Sequence, residues 1–241
     1  MTVYLAGFID LPRARRELAL RVREHVIRTT RGGGCFLGAS LAAVELLVGL
    51  HTRVRPRRAE RDLLLLAKGH AELPALYATL AEVARTPTTF DVPGIEVHGG
   101  SLGNVLATGA HVAAEAMRRG SARRVYVFLG DGDLDDGLPA AFVAPALGLT
   151  NLVAVIARPA GGADPGDAFA SWHTAEIDGH DACAIDDALE AADGAGRPVA
   201  IVADTVRNRG LPSLERAPDR WFTRRDTAEI ELLVEELRGV R

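Results

Sequence analysis

The densest group of chemically capable residues is the turn Gly130-Asp131-Gly132-Asp133-Leu134-Asp135-Asp136-Gly137, with four carboxylates inside six positions. Like charges so close raise one another's energy unless a cation or a polar shell answers them. Carboxylate oxygens are the ligands Mg2+ prefers, together with retained waters and substrate phosphates. The glycines flanking Asp131 let the backbone approach a phosphate closely. The alternative is an acidic surface turn whose aspartates favour the positive end of the next helix. The residues alone leave both readings open. Lys68-Gly69-His70 offers a second group. A histidine there can bond a phosphate through a ring N–H, or simply bond the backbone at a helix start. Gly99-Gly100-Ser101-Leu102-Gly103 has the makeup of an anion-approach loop before a helix, although such turns are common.

These groups sit between segments that alternate in kind. Apolar runs at 63–66, 124–129, 151–157 and 198–205 have the length and content of buried strands. Helical spacing predicts helices over 13–30, with Leu18, Val22, His25 and Val26 on one side, over 40–51 with Ser40 as N-cap, and over 71–84. Further helices are predicted over 102–119, 137–147 (shortened or kinked by Pro139 and Pro145), 185–192 and 227–237. The stretches 85–100 and 160–166 read as Gly/Pro loops. Strands alternating with helices predict an α/β fold with a mainly parallel sheet and helices on both faces. Ligands of such sheets bind beyond the carboxyl ends of strands, which selects the turns after Leu129 and Ala157.

The chain has 241 residues, 48% of them hydrophobic and 25% charged, which fits one globular domain spanning 1–241. Net charge is -4 and aromatic content is 5%, so a nucleic-acid interface is not expected. The basic cluster Arg53, Arg55, Arg57, Arg58 and Arg61 reads as a solvated connection. Cys35 and Cys183 share no metal-ligand spacing and form no disulfide framework, which fits a cytoplasmic location. No run reaches the roughly 20 apolar residues that span a bilayer.

Read in order, several segments resemble the amino-terminal part of transketolase. Gly38-Ala39-Ser40-Leu41 opens a similar glycine-serine-leucine helix. Arg61-Asp62, Lys68-Gly69-His70-Ala71 and Leu76-Tyr77 resemble "RD…SKGHA…LY". Pro93-Gly94-Ile95-Glu96 with Gly100-Ser101-Leu102-Gly103 resembles "PGVE…GSLGQG", and 125–137 resembles "VYVLLGDGELQEG". The run 149–156 resembles "LDNLVAIV", and Glu176-Ile177-Asp178-Gly179-His180-Asp181 matches "EIDGHD". The resemblance covers about residues 14–225.

It implies a thiamine-diphosphate-binding fold of the diphosphate (PP) type, with thiamine diphosphate and Mg2+ as cofactors. Carried over, Asp131 is a metal ligand and Gly130 and Gly132 contact the diphosphate. His70 is the catalytic residue facing the substrate channel, Gly100 and Leu102 line the cofactor rings, and Asp136 takes a position at the subunit contact. The implied function is transfer of a two-carbon ketol or acyl unit to a small-molecule or carrier-bound acceptor. The glutamate that activates the cofactor lies, in the family, on a following pyrimidine-binding domain. A partner carrying the pyrimidine-binding and C-terminal domains is therefore implied, in a dimer of heterodimers. Three departures accompany the resemblance. Pro159 falls where the family has its second metal ligand, leaving Asp164 or Asp167 as substitutes. Family histidines are absent at Cys35-Phe36, between Phe90 and Pro93, and at Trp221-Phe222. These losses also fit an alternative, a non-catalytic subunit that stabilises a transketolase-like partner.

Overall fold

A computed structural model of the chain describes residues 11–53, 62–67, 71–85, 97–99, 104–130, 133–162, 164–218 and 220–239. Nine helices and six strands are found among the described residues: α1 (Leu11–Thr29), α2 (Leu37–Ala42), α3 (Val44–Arg53), β1 (Leu63–Ala67), α4 (Leu73–Arg85), β2 (Val97–Gly99), α5 (Val105–Arg118) and β3 (Val125–Leu129). They continue with α6 (Leu134–Ala146), β4 (Leu152–Pro159), β5 (His173–Asp178), α7 (Ala182–Ala191), β6 (Val199–Thr205), α8 (Pro212–Glu215) and α9 (Thr227–Gly239).

The six strands form one parallel sheet in the order β2-β1-β3-β4-β6-β5. Successive side chains of a strand point to opposite faces, and the two cores follow that alternation. Leu64, Leu66, Tyr126, Phe128, Val153, Val155, Ile201 and Ala203 pack under α1, α2, α3, α4, α7 and α9. Leu63, Leu65, Val125, Val127, Leu129, Ala154, Ile156 and Val202 pack under α5 and α6. The central strands are thus apolar throughout because both faces are covered. Gly109 of α5 lies directly on Val127 of β3, where any Cβ would collide with the valine.

Several sequence expectations shift. Ser40 is not an N-cap: it lies fully buried inside α2, and its hydroxyl donates to the Ala71 carbonyl at 2.9 Å. The stretch predicted as loop over 85–100 contains β2, an edge strand of only three residues. Strand β5 is not among the predicted elements, because its alternating burial leaves only Ala175 and Ile177 facing the core. Helix α6 starts at Leu134, three residues before the predicted start, and runs through both prolines. Pro145 has no N–H to give the carbonyl four residues back. That carbonyl, on Ala141, instead accepts the buried indole N–H of Trp172 at 2.7 Å. No helix among the described residues is long and apolar enough to cross a membrane.

Trp172→Phe keeps a ring in place but leaves the Ala141 carbonyl without its donor. Such an orphaned group costs about 1–3 kcal/mol, so urea unfolding followed by circular dichroism should show a loss of that size.

Candidate functional site

The strand order determines where a ligand can enter. From β1 the chain crosses outward to β2, then returns to β3 on the other side of β1. Connections leaving β1 and β3 therefore diverge, which opens a crevice at the carboxyl ends of these two strands. The predicted groups at 68–70 and 130–132 follow directly from these neighbouring strands. His70, Gly100, Leu102, Asp131 and Gly132 lie outside the described residues. Asp136 falls in the first turn of α6, with its side chain outside the described residues.

Gly130 is buried, and its N–H donates to the Asp133 carboxylate at 3.0 Å. The Asp133 N–H returns a bond to the Gly130 carbonyl at 3.2 Å. Asp133 is wholly buried, so this carboxylate holds the turn from within instead of joining a solvent-facing acidic cluster. That corrects the picture of four equivalent carboxylates drawn from spacing alone.

At the end of β4, Pro159 pairs with Thr205 of β6, and its carbonyl accepts the Gly162 N–H at 2.7 Å. The expected substitutes point elsewhere. Asp164 accepts the Gly166 N–H at 3.1 Å and lies 4.0 Å from Arg158, whose guanidinium also binds Asp204 at 2.7 Å and Glu176 at 3.0 Å. Asp167 is exposed in a short 3-10 helix, Gly166–Phe169. No group of three His, Cys, Asp or Glu able to hold a metal is found among the described residues. Beside Pro159, a crevice lined by Ala39, Ala42, Glu72, Ala157, Thr205 and Arg207 holds about 10 Å³, room for about one water.

The segment after β6 is held by a buried network that sequence reading did not foresee. Arg23 of α1 grips Glu45 of α3 through both guanidinium nitrogens, at 2.6 and 2.7 Å. Its Nε donates to the Arg209 carbonyl at 2.9 Å. His180 Nε2 accepts the Val206 N–H at 2.8 Å, so Nδ1 carries the hydrogen and donates to Glu45 at 3.1 Å. His180 is itself placed by Asp178, whose carboxylate accepts the His180 N–H at 2.8 Å. The "EIDGHD" segment is therefore a clamp. Burial alone would raise the Glu45 pKa, but the Arg23 charge and the bonds from His180 and Arg23 outweigh it and hold Glu45 down to about 2.

The clamped segment reaches the positions where sequence analysis noted missing histidines. Cys35 and Thr223 exchange N–H···O bonds, both 2.9 Å, as an isolated antiparallel bridge. Phe36 meets Trp221 with centroids 5.6 Å apart and Phe222 at 5.1 Å, both edge to face. The Arg207 guanidinium lies 5.1 Å from the Trp221 ring centroid. Gly34, at φ +81°, lets Phe222 lie against the backbone, since a Cβ there would stand 2.6 Å from the ring.

No family model matches the chain. A transketolase family protein of Sinorhizobium fredii is 31% identical to it, over 92% of each chain. One of the two named subunits of the apulose-4-phosphate transketolase of Actinobacillus succinogenes is 27% identical over 93% of this chain and 95% of its own. Among solved structures, the transketolase of Campylobacter jejuni superposes with a TM-score of 0.76 at 20% identity, over 97% of this chain. That match takes in 43% of the solved chain, so this protein spans less than half of that transketolase's length.

A depressed carboxyl pKa stabilises the fold fully above the unfolded value of 4.5, and that stabilisation is lost as pH falls toward about 2. Unfolding free energy should fall across this window. Glu45→Gln should flatten the slope there and cost about 3–5 kcal/mol at neutral pH, because it strands the buried Arg23 charge. Urea midpoints measured at several pH values test both outcomes.

Proposed function

This chain belongs to the transketolase family, and from that premise we propose that it is the thiamine-diphosphate-binding subunit of a two-chain, cytoplasmic transketolase-like enzyme. The observation that carries the proposal is length. The match takes in 95% of the Actinobacillus succinogenes relative, which is itself named as a transketolase subunit, and 78% of 6-deoxy-6-sulfo-D-fructose transketolase subunit SqwG of Clostridium sp., to which the chain is 30% identical. We assign residues 1–241 to one cofactor-binding domain. Its complement is a second chain with the pyrimidine-binding and C-terminal domains, the two forming a dimer of heterodimers.

The donor set fits a diphosphate with a divalent ion held by one carboxylate, phosphate oxygens and water, a mode Mg2+ readily adopts. It does not fit an ion held by two side chains, since Pro159 has no ligand atom in its side chain and Asp164 sits beside Arg158. In this reading Asp131 binds the ion, and the Gly130 and Gly132 backbone approaches the diphosphate. Asp133 keeps that turn closed from the protein side. His70 faces the substrate, Gly100 and Leu102 line the cofactor rings, and Asp136 lies at the subunit contact. When bound, thiamine diphosphate supplies the electron sink for transfer of a two-carbon ketol or acyl unit.

The chain co-purified with its complementary subunit should bind thiamine diphosphate in the presence of Mg2+, read by calorimetry. Asp131→Ala should weaken this binding at least tenfold. Absence of binding by the unaltered pair would instead identify a subunit that only stabilises its partner, a reading that the side chain of Pro159 favours.

A further inference from the structure

Most large aromatic side chains of this protein are spent on its core: Phe128, Phe169 and Trp172 are each 2% exposed or less. Trp221 and Phe222 depart from this, with 52% and 51% of their surface open. They are not loosely placed. The Cys35–Thr223 bridge holds them from one side, and a glycine in the left-handed region gives Phe222 its seat. With Phe36 they meet at interplanar angles of 72° and 80°, which makes a corner of rings instead of a flat stack. Arg207, two residues beyond β6, joins this corner to the crevice beside Ala157 and Pro159. The corner therefore adjoins the carboxyl edge of a parallel sheet, the side on which such sheets bind small molecules.

We infer that Phe36, Trp221, Phe222 and Arg207 form a recognition site for a small amphipathic anion, with an aryl or acyl group on the rings and a carboxylate or phosphate on the guanidinium. Rings exclude water from an apolar group, and Arg forks bind planar or tetrahedral oxyanions with directed N–H bonds. The guanidinium is pre-positioned because it already lies over the Trp221 face. A polyhydroxylated chain would find no hydroxyl acceptors or donors on the three rings. Identifying this anion as the substrate of the enzyme rests on the function proposed above; the site itself does not.

Trp221 reports on its own occupancy, because the other tryptophan, Trp172, is buried and bonded. The full chain, alone and with its complementary subunit, would be titrated with benzoate, phenyl phosphate and inorganic phosphate while emission is recorded. At least one aryl anion should quench saturably and bind at least tenfold more tightly than inorganic phosphate, and the tighter of the two identifies the anionic group. Arg207→Met should weaken that binding at least tenfold, and Arg207→Lys should restore part of it. Phe36→His, chosen because it leaves the Gly34–Phe222 packing in place, should reduce the preference for aryl anions. Equal binding of inorganic phosphate, or unchanged affinity in Arg207→Met, would overturn the inference. So would a blue shift of Trp221 on adding the complementary subunit with loss of all probe binding, since the rings would then be a subunit contact. Thiamine diphosphate affinity, measured on the same samples, separates the two readings. Aryl-anion binding without cofactor binding removes the transferase reading alone, and the reverse result removes this site alone.

Discussion

The buried contact between Arg23 and Glu45 governs how the carboxyl edge of this protein is arranged. A carboxylate so enclosed stays charged only because a guanidinium grips both its oxygens and an imidazole adds a third bond. Each of these partners sits on a different element. Arg23 comes from α1, Glu45 from α3, and His180 from the turn between β5 and α7. Both donors to Glu45 also reach the chain after β6, at Val206 and Arg209. One buried charge thus fixes the path of a segment that has no regular structure of its own. Hydrophobic packing is non-directional and would not set that path.

The sheet supplies the other half of the arrangement. Two apolar faces hold the strands rigidly, so variation is confined to the connections at their ends. The order β2-β1-β3-β4-β6-β5 places the connections after β1 and β3 side by side, and those after β4 and β6 side by side. The first pair carries the residues assigned to diphosphate and metal. The second carries Pro159, Thr205 and Arg207. Membership of the transketolase family and the fold are thus accompanied by a local chemistry of its own, aromatic and cationic, around the second pair.

Much of the architecture is legible in the residues. The apolar runs at 63–66, 124–129, 151–157 and 198–205 end within one or two residues of the observed strands, because continuous apolar runs have few other uses in a sheet covered on both faces. β5 is hidden from such reading since a half-exposed edge strand such as His173-Thr174-Ala175-Glu176-Ile177-Asp178 carries charge on alternate positions. α6 reads as short because prolines usually break helices. The compensation comes from Trp172, 27 residues after Pro145, which no local window includes.

At the site, the sequence by itself determined which residue types stand at the strand ends, including the glycine-flanked Asp131, the Lys68-Gly69-His70 group and the proline at 159. It determined the parallel α/β class as well, since periodicity and apolar content are local properties. Only the tertiary structure decided what those residues face. Asp133 turned inward to Gly130, Asp164 lay beside Arg158, and Phe36 met two rings 185 and 186 residues further along the chain. The physical reason is that a side chain's role depends on its neighbours in space, and here those neighbours are brought together by strand order and by a buried ion pair between helices, neither of which is encoded in adjacent positions.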